Sequence, residues 1–169
     1  MIHVFTTGGT IDGVGCTGEN CSCKGTDQPT STYVPHLLAQ AGSCTDVILT
    51  ELFVKNSSKF AEEDYRKIVK SCRDAPEKHI VITHGTQTMC DTARLLGRDA
   101  GTQPKKTVVL TGALRSIREP ESDGLFNLGF ALGVVQYLPR GVYVAMHGLV
   151  FHWDDVELKT KPKRFVSHL

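Results

Sequence analysis

Five runs dense in Val, Ile, Leu and Phe recur along the chain, at residues 2–6, 47–54, 79–83, 107–111 and 142–146. They are nearly continuous in apolar residues, as strands are when both faces of their sheet are covered. Between them the period lengthens to that of a helix. Ala61, Tyr65, Ile68, Val69 and Cys72 share one face over Glu62–Arg73, and Met89, Ala93, Leu96 and Ala100 share one over 88–100. A third helix is predicted over Asp123–Leu138, ended by Pro139-Arg140-Gly141. Strands alternating with helices imply a three-layer α/β sandwich around a mostly parallel sheet. At 169 residues, with no internal repeat and no interdomain linker, the chain reads as one domain.

Two segments depart from this rhythm. Gly13–Pro29 is rich in Gly, Cys and Thr, has no period, and reads as a mobile loop or lid. The third helix carries Leu125, Phe126, Leu128, Phe130, Leu132, Val134, Val135 and Leu138 on every side. A helix apolar all round is buried, either at a subunit interface or under the sheet and loops of its own chain.

Charge narrows the range of partners. Nineteen basic and eighteen acidic residues leave a net charge of +1, whereas nucleic-acid binding needs a clustered basic surface. The one basic concentration, Lys159–Arg164, reads as a solvated terminus. No basic leader opens the chain, and the longest apolar stretch, Leu125–Leu138, is shorter than the roughly 20 residues of a membrane span. A cytoplasmic protein without membrane contact is expected. Of six cysteines, Cys72 and Cys90 fall on apolar helical positions and read as buried thiols. Cys16, Cys21 and Cys23, spaced C-x4-C-x-C, leave free thiols, a loop disulfide and a metal site all open.

The chemistry gathers in two threonine-rich turns, each after its own strand. Thr6-Thr7-Gly8-Gly9-Thr10 follows the first, and His84-Gly85-Thr86-Gln87-Thr88 follows the third. In open α/β sheets, ligands bind outside the carboxyl ends of the strands. A threonine hydroxyl is a nucleophile when a neighbouring base takes its proton, although such threonines also serve as plain helix caps. Thr88-x-x-Asp91 has the form of a capping box, which makes Thr88 an N-cap and leaves Thr86 to face a site. His84, in a glycine-flanked turn, reads as structural. Taken by themselves, Ser57 and Ser58 read as caps of the helix beginning near Ala61.

Thr7-Gly-Gly-Thr-Ile11 resembles the first signature of the bacterial-type L-asparaginases, and Ile82-Thr-His-Gly-Thr-Gln-Thr-Met89 the second. Thr111-Gly-Ala-Leu-Arg115 with Ser122-Asp-Gly-Leu-Phe-Asn-Leu128 is similar to the stretch that follows them. The likeness spans nearly the whole chain and corresponds to the N-terminal domain of that family, as in its short single-domain forms. It implies a flavodoxin- or Rossmann-like sheet, no cofactor, and hydrolysis of asparagine to aspartate and ammonia, while the apolar third helix is the reason a homo-oligomer (dimer or dimer of dimers) is expected. By the same resemblance Thr10 is the nucleophile and Thr86 the second catalytic threonine. Lys159, or next to it Lys161, is the relay lysine. Gly9, Ser57, Ser58, Gln87 and Ala113 fall at substrate-binding positions.

Two positions differ from the family pattern. Gln87 stands where the family has a carboxylate that pairs with the substrate ammonium. The lid tyrosine has no counterpart in residues 13–29, and Tyr33 falls beyond them. Two alternatives therefore stay open: hydrolysis of an N-blocked or different carboxamide, and an amino-acid-binding protein without turnover.

Overall fold

The computed structural model describes residues 1–14, 29–99, 101–102 and 105–167. Strands β1 (Ile2–Gly8), β2 (Val47–Lys55), β3 (His79–Thr83), β4 (Thr107–Thr111) and β5 (Gly141–Met146) run parallel. A short strand, β6 (Leu149–His152), turns back antiparallel on β5, giving the order β2-β1-β3-β4-β5-β6. The crossovers are α1 (Val34–Gln40), α2 (Glu62–Asp74), α3 (Met89–Arg98) and α4 (Gly124–Val134).

Both faces of the sheet are covered, as its apolar strands require. Ile80, Ile82, Val108 and Leu110 point to one side and pack with Ile68 and Cys72 of α2 and Met89, Ala93 and Leu96 of α3. Val81 and Val109 point to the other, against Val34 and Leu37 of α1 and Leu128, Ala131 and Leu132 of α4. Each buried Val, Leu, Ile or Met among them contributes roughly 1.5–3 kcal/mol. The three-layer, mostly parallel α/β sandwich is as expected. Burial pushes the Cys72 thiol up to about 12 and the Cys90 thiol to about 11, so both are inert fillers of the core.

The chain leaves β1 for β2 on one side and later returns to β3 on the other. The topological switch point, where α/β sheets form their clefts, therefore lies between β1 and β3.

Three expectations need correction. The third predicted helix ends at Val134 and is not buried all round: Phe126 is 60 % exposed and stacks parallel on Phe130. The basic C-terminal stretch is no loose tail, because β7 (Val156–Thr160) and β8 (Lys163–Ser167) form an antiparallel hairpin. Val156 and Phe165 insert into the core beside α3, while Lys159, Lys163 and Arg164 stay in water. Helix α1 had no counterpart among the predicted elements. Of the expected insert, only Gly13, Val14 and Pro29 are described; Cys16, Cys21 and Cys23 lie outside the described residues.

Candidate active site at the carboxyl ends of β1, β2 and β3

The turn after β1 is built on glycine backbone. Gly8 and Gly9 have φ of 93° and 85°, and the Gly9 N–H donates to the carbonyl of Lys55 at the end of β2 (3.0 Å). A 3₁₀ turn, Thr10–Asp12, follows, closed by Gly13 N–H on the Thr10 carbonyl (3.0 Å) and Val14 N–H on the Gly9 carbonyl (2.9 Å). A Cβ on Gly9 would stand 2.5 Å from Gly85 Cα, so the turns after β1 and β3 touch backbone to backbone. Gly85 in turn lies on Ser57: a Cβ there would stand 2.5 Å from Ser57 Oγ. Three strand ends thus converge through two residues that lack side chains.

Thr10 and Thr86 are the residues next along from the touching glycines. Thr10 is half-buried, and Thr86 is 3 % exposed. The Thr7 hydroxyl donates to the Thr83 carbonyl (2.8 Å), binding β1 to β3 just below. Ser57 is 2 % exposed, and its Oγ has no hydrogen-bond partner among the described residues. A buried hydroxyl left unpaired costs about 1–3 kcal/mol, and such groups mark places where a molecule can bind.

His84 supports this geometry from beneath. It is wholly buried, and burial depresses its pKa to about 4 despite the Gly85 carbonyl acting in the other direction. Its Nδ1 lies 2.7 Å from that carbonyl, which can only accept, so Nδ1 carries the proton and donates. Nε2 then accepts from the Thr92 hydroxyl (2.9 Å), and Phe60 packs its edge on the ring. The structural reading of His84 agrees with this arrangement, and the ring fixes the turn that carries Thr86. Folded chains keep it neutral down to about pH 4, whereas the unfolded chain protonates it below about 6.5. Stability therefore falls as pH drops through that window, by roughly 3 kcal/mol in all. Denaturant titrations across it should show the loss, and His84→Gln should flatten it.

Other predicted positions land differently. Thr88 occupies the N-cap position of α3, but its hydroxyl donates to the Ser57 carbonyl (3.3 Å) instead of capping, so the third turn is tied to the second. Ser58 is exposed and donates to Asn56 Oδ1 (2.9 Å); Asn56 itself accepts from Ser58 N–H, so the serines are not the caps. Gln87 is exposed, and Ala113 is fully buried in the core on the α4 side. The loop that follows Ala113 does reach the site, through Ile117 N–H on the Thr10 carbonyl (3.3 Å). Lys159 stands on β7, half-exposed, with its ammonium 3.1 Å from Glu157. Among the described residues, nothing encloses it, and its side chain lies in water.

Residues not singled out in the sequence prove central. Asp123 accepts the N–H groups of Leu114 and Arg115 and pairs with His147 (2.7 Å), pinning the loop after β4 to the start of α4. Asn127, fully buried, bridges the Gly112 carbonyl and the His147 N–H. Asp12 is the third, and a polar residue directly after a glycine turn is the signal that could have flagged it.

A family model described as "Asparaginase, N-terminal" matches residues 1–165. The probable periplasmic L-asparaginase of Haemophilus influenzae is 32 % identical over 162 residues, covering 92 % of this chain and 45 % of that protein. The glutaminase-asparaginase of Acinetobacter glutaminasificans is 26 % identical over 162 residues, covering 92 % and 48 %. The crystal structure of a probable cytoplasmic L-asparaginase from Campylobacter jejuni superposes with a TM-score of 0.76 at 24 % identity, over 98 % of this chain and 52 % of that one. The chain therefore spans about half the length of the relatives it matches. No helix among the described residues is long and apolar enough to cross a membrane.

Proposed function

The chain belongs to the asparaginase family, matching the N-terminal domain, and from that premise we propose that it hydrolyses the side-chain amide of L-asparagine to L-aspartate and ammonia. The observation that carries the reading is the stack of Gly9 on Gly85 on Ser57, which sets the turns of Thr10 and Thr86 against each other beside an unpaired buried hydroxyl.

In this reading the Thr10 hydroxyl attacks the amide carbon, its proton passes by way of Thr86 to the departing nitrogen as the C–N bond breaks, and ammonia leaves an acyl-enzyme that water then hydrolyses. Backbone N–H groups of the two turns hold the developing oxyanion, each such donor being worth roughly 3–4 kcal/mol. Ser57 Oγ donates to the substrate α-carboxylate. Lys159 is proposed as the relay base and would have to shed Glu157 and lose water to serve. Phe126 and Phe130 on the outer face of α4 support a homo-oligomer, a second subunit covering those rings. A cytoplasmic location belongs to the same proposal.

Ammonia release from asparagine, glutamine and N-blocked asparagine, assayed at high protein concentration, tests it. Release from asparagine supports the proposal. Saturable heat of binding with no ammonia from any of the three amides would instead identify a binding protein. Gln87 also sets which amide is preferred. It is exposed and neutral, so a free ammonium finds no counter-charge there, and charge-assisted bonds are about twice as strong as neutral ones. Gln87→Asp is expected to lower KM for free asparagine by about 2- to 5-fold, the yield of one rim charge pair, with no gain for the N-blocked amide. An unchanged KM would refute the ammonium-pairing argument.

A further inference from the structure

Asp12 closes the turn that begins with Thr10, and no step above uses it. Its carboxyl is buried, with the residue 2 % exposed. Oδ1 accepts both the Thr32 hydroxyl (2.8 Å) and the Tyr33 N–H (2.7 Å), while Oδ2 has no partner among the described residues. The Thr32 oxygen accepts Val34 N–H (3.2 Å) at the start of α1, and the Thr32 N–H donates to Glu51 on β2 (2.7 Å). One carboxylate thus fastens residues 32 and 33, far along the chain, onto the turn of the candidate nucleophile.

This fastening is costly. Burial raises the Asp12 carboxyl above its ordinary range, and the nearby charge of Glu51 raises it further; the Tyr33 and Thr32 donors offset only part. Asparagine would accept the same two hydrogen bonds through its amide oxygen with no charge to bury. What it would not supply is charge, and a charged acceptor grips its donors about twice as strongly. Groups held at such cost gather where function depends on their geometry.

We infer that Asp12 is a positioning residue for Thr10: its ionised carboxylate, by gripping Thr32 and Tyr33, holds the Thr10–Asp12 turn in the geometry from which the hydroxyl attacks. The inference rests on the reading of Thr10 as nucleophile. Among the described residues, the ionisable groups nearest this corner are Glu51 from β2, Arg118 from the loop after β4, and His36 of α1. The Arg118 Nε lies 3.0 Å from where a Cβ of Gly13 would stand, and the His36 ring packs on Tyr33 at 4.9 Å.

The test compares the full chain with Asp12→Asn, Thr32→Val and Thr10→Ala by ammonia release across pH and by thermal unfolding. Asp12→Asn should lower kcat by 10-fold or more with KM changed less than 3-fold. The acid limb of the wild-type kcat profile, lying above the ordinary carboxylate range, should vanish with it. A folded-state carboxyl that is raised loses stability as pH climbs from its ordinary value to its raised one. Asp12→Asn should therefore match or exceed the wild-type Tm at neutral pH, and that margin should close in acid. A residue with a merely structural role would move neither kcat nor the limb. Thr32→Val, which removes one donor, should lower kcat in the same direction by less, and it decides the matter where Asp12→Asn does not fold. Wild-type kcat and an intact acid limb in the variants overturn the inference while leaving the amidase reading in place. A wild-type chain that turns over no carboxamide, like Thr10→Ala, overturns the nucleophile reading and this inference with it.

Discussion

Thr10→Ala should abolish ammonia release from asparagine, with kcat expected to fall by about 10⁴- to 10⁶-fold, the scale on which an enzyme loses its nucleophile. Hydrolysis in the proposed route splits into acylation and deacylation, and both pass through the Thr10 oxygen. Removing it leaves only the oxyanion donors of the two turns and the binding groups, which act on a water that nothing positions. Fold and affinity should survive. Thr10 is half-buried, its backbone bonds to Gly13 and Ile117 do not involve the side chain, and Ser57 is untouched. Calorimetry on Thr10→Ala should thus give a Kd for asparagine within a few-fold of the wild-type KM, beside a kcat near zero. A variant that keeps a tenth of wild-type kcat would move the nucleophile elsewhere. Thr86→Ala should lower kcat less, because that hydroxyl conveys a proton without bonding to the substrate carbon.

How much of this was legible from the order of residues depends on how local each cause is. Strands β3 and β4 could be read because His79–Thr83 and Thr107–Thr111 are buried on both faces and so carry no alternation. Helices α2 and α3 could be read because each spans three turns with one apolar face. Helix α1 has seven residues and two buried positions, Val34 and Leu37, too few to show a period. The β7–β8 hairpin hid among lysines: Val156 and Phe165 anchor it, and every charge between them points to water. At the site, the hydroxyls announced themselves by sitting beside glycines at strand ends. Asp12 did not, because nothing along the chain relates position 12 to positions 32 and 33. Lys159 was placed by resemblance, and its surroundings on β7 are set by the register Lys159–Arg164, which no motif reports.

Gly9→Ala should be among the more damaging single methyls in the molecule, and it falls at the contact of the two catalytic turns. The new Cβ would meet Gly85 Cα at 2.5 Å and Gly85 N at 2.6 Å, both backbone atoms of a turn pinned by His84 and unable to swing aside as a side-chain tip would. The backbone at Gly9, φ 85° and ψ −171°, is one that an alanine enters only under strain. Strain of about 1–3 kcal/mol and overpacking of about 1–3 kcal/mol together remove a sizeable part of the 5–15 kcal/mol that holds a typical domain folded. At about 2–4 °C per kcal/mol for a chain of this size, Tm should drop by roughly 5–20 °C. Activity should be lost even below the new Tm, because relief of the clash can only come from parting the two turns, and that separates Thr10 from Thr86. Gly129→Ala supplies the contrast. It lies on the exposed face of α4 with nothing within 4 Å of a new Cβ, so it should raise stability by up to about 1 kcal/mol through helix propensity and leave kcat alone. Thermal unfolding and ammonia release on the two variants separate the possibilities. If Gly9→Ala keeps wild-type kcat, the touching of the two turns is not what makes the site.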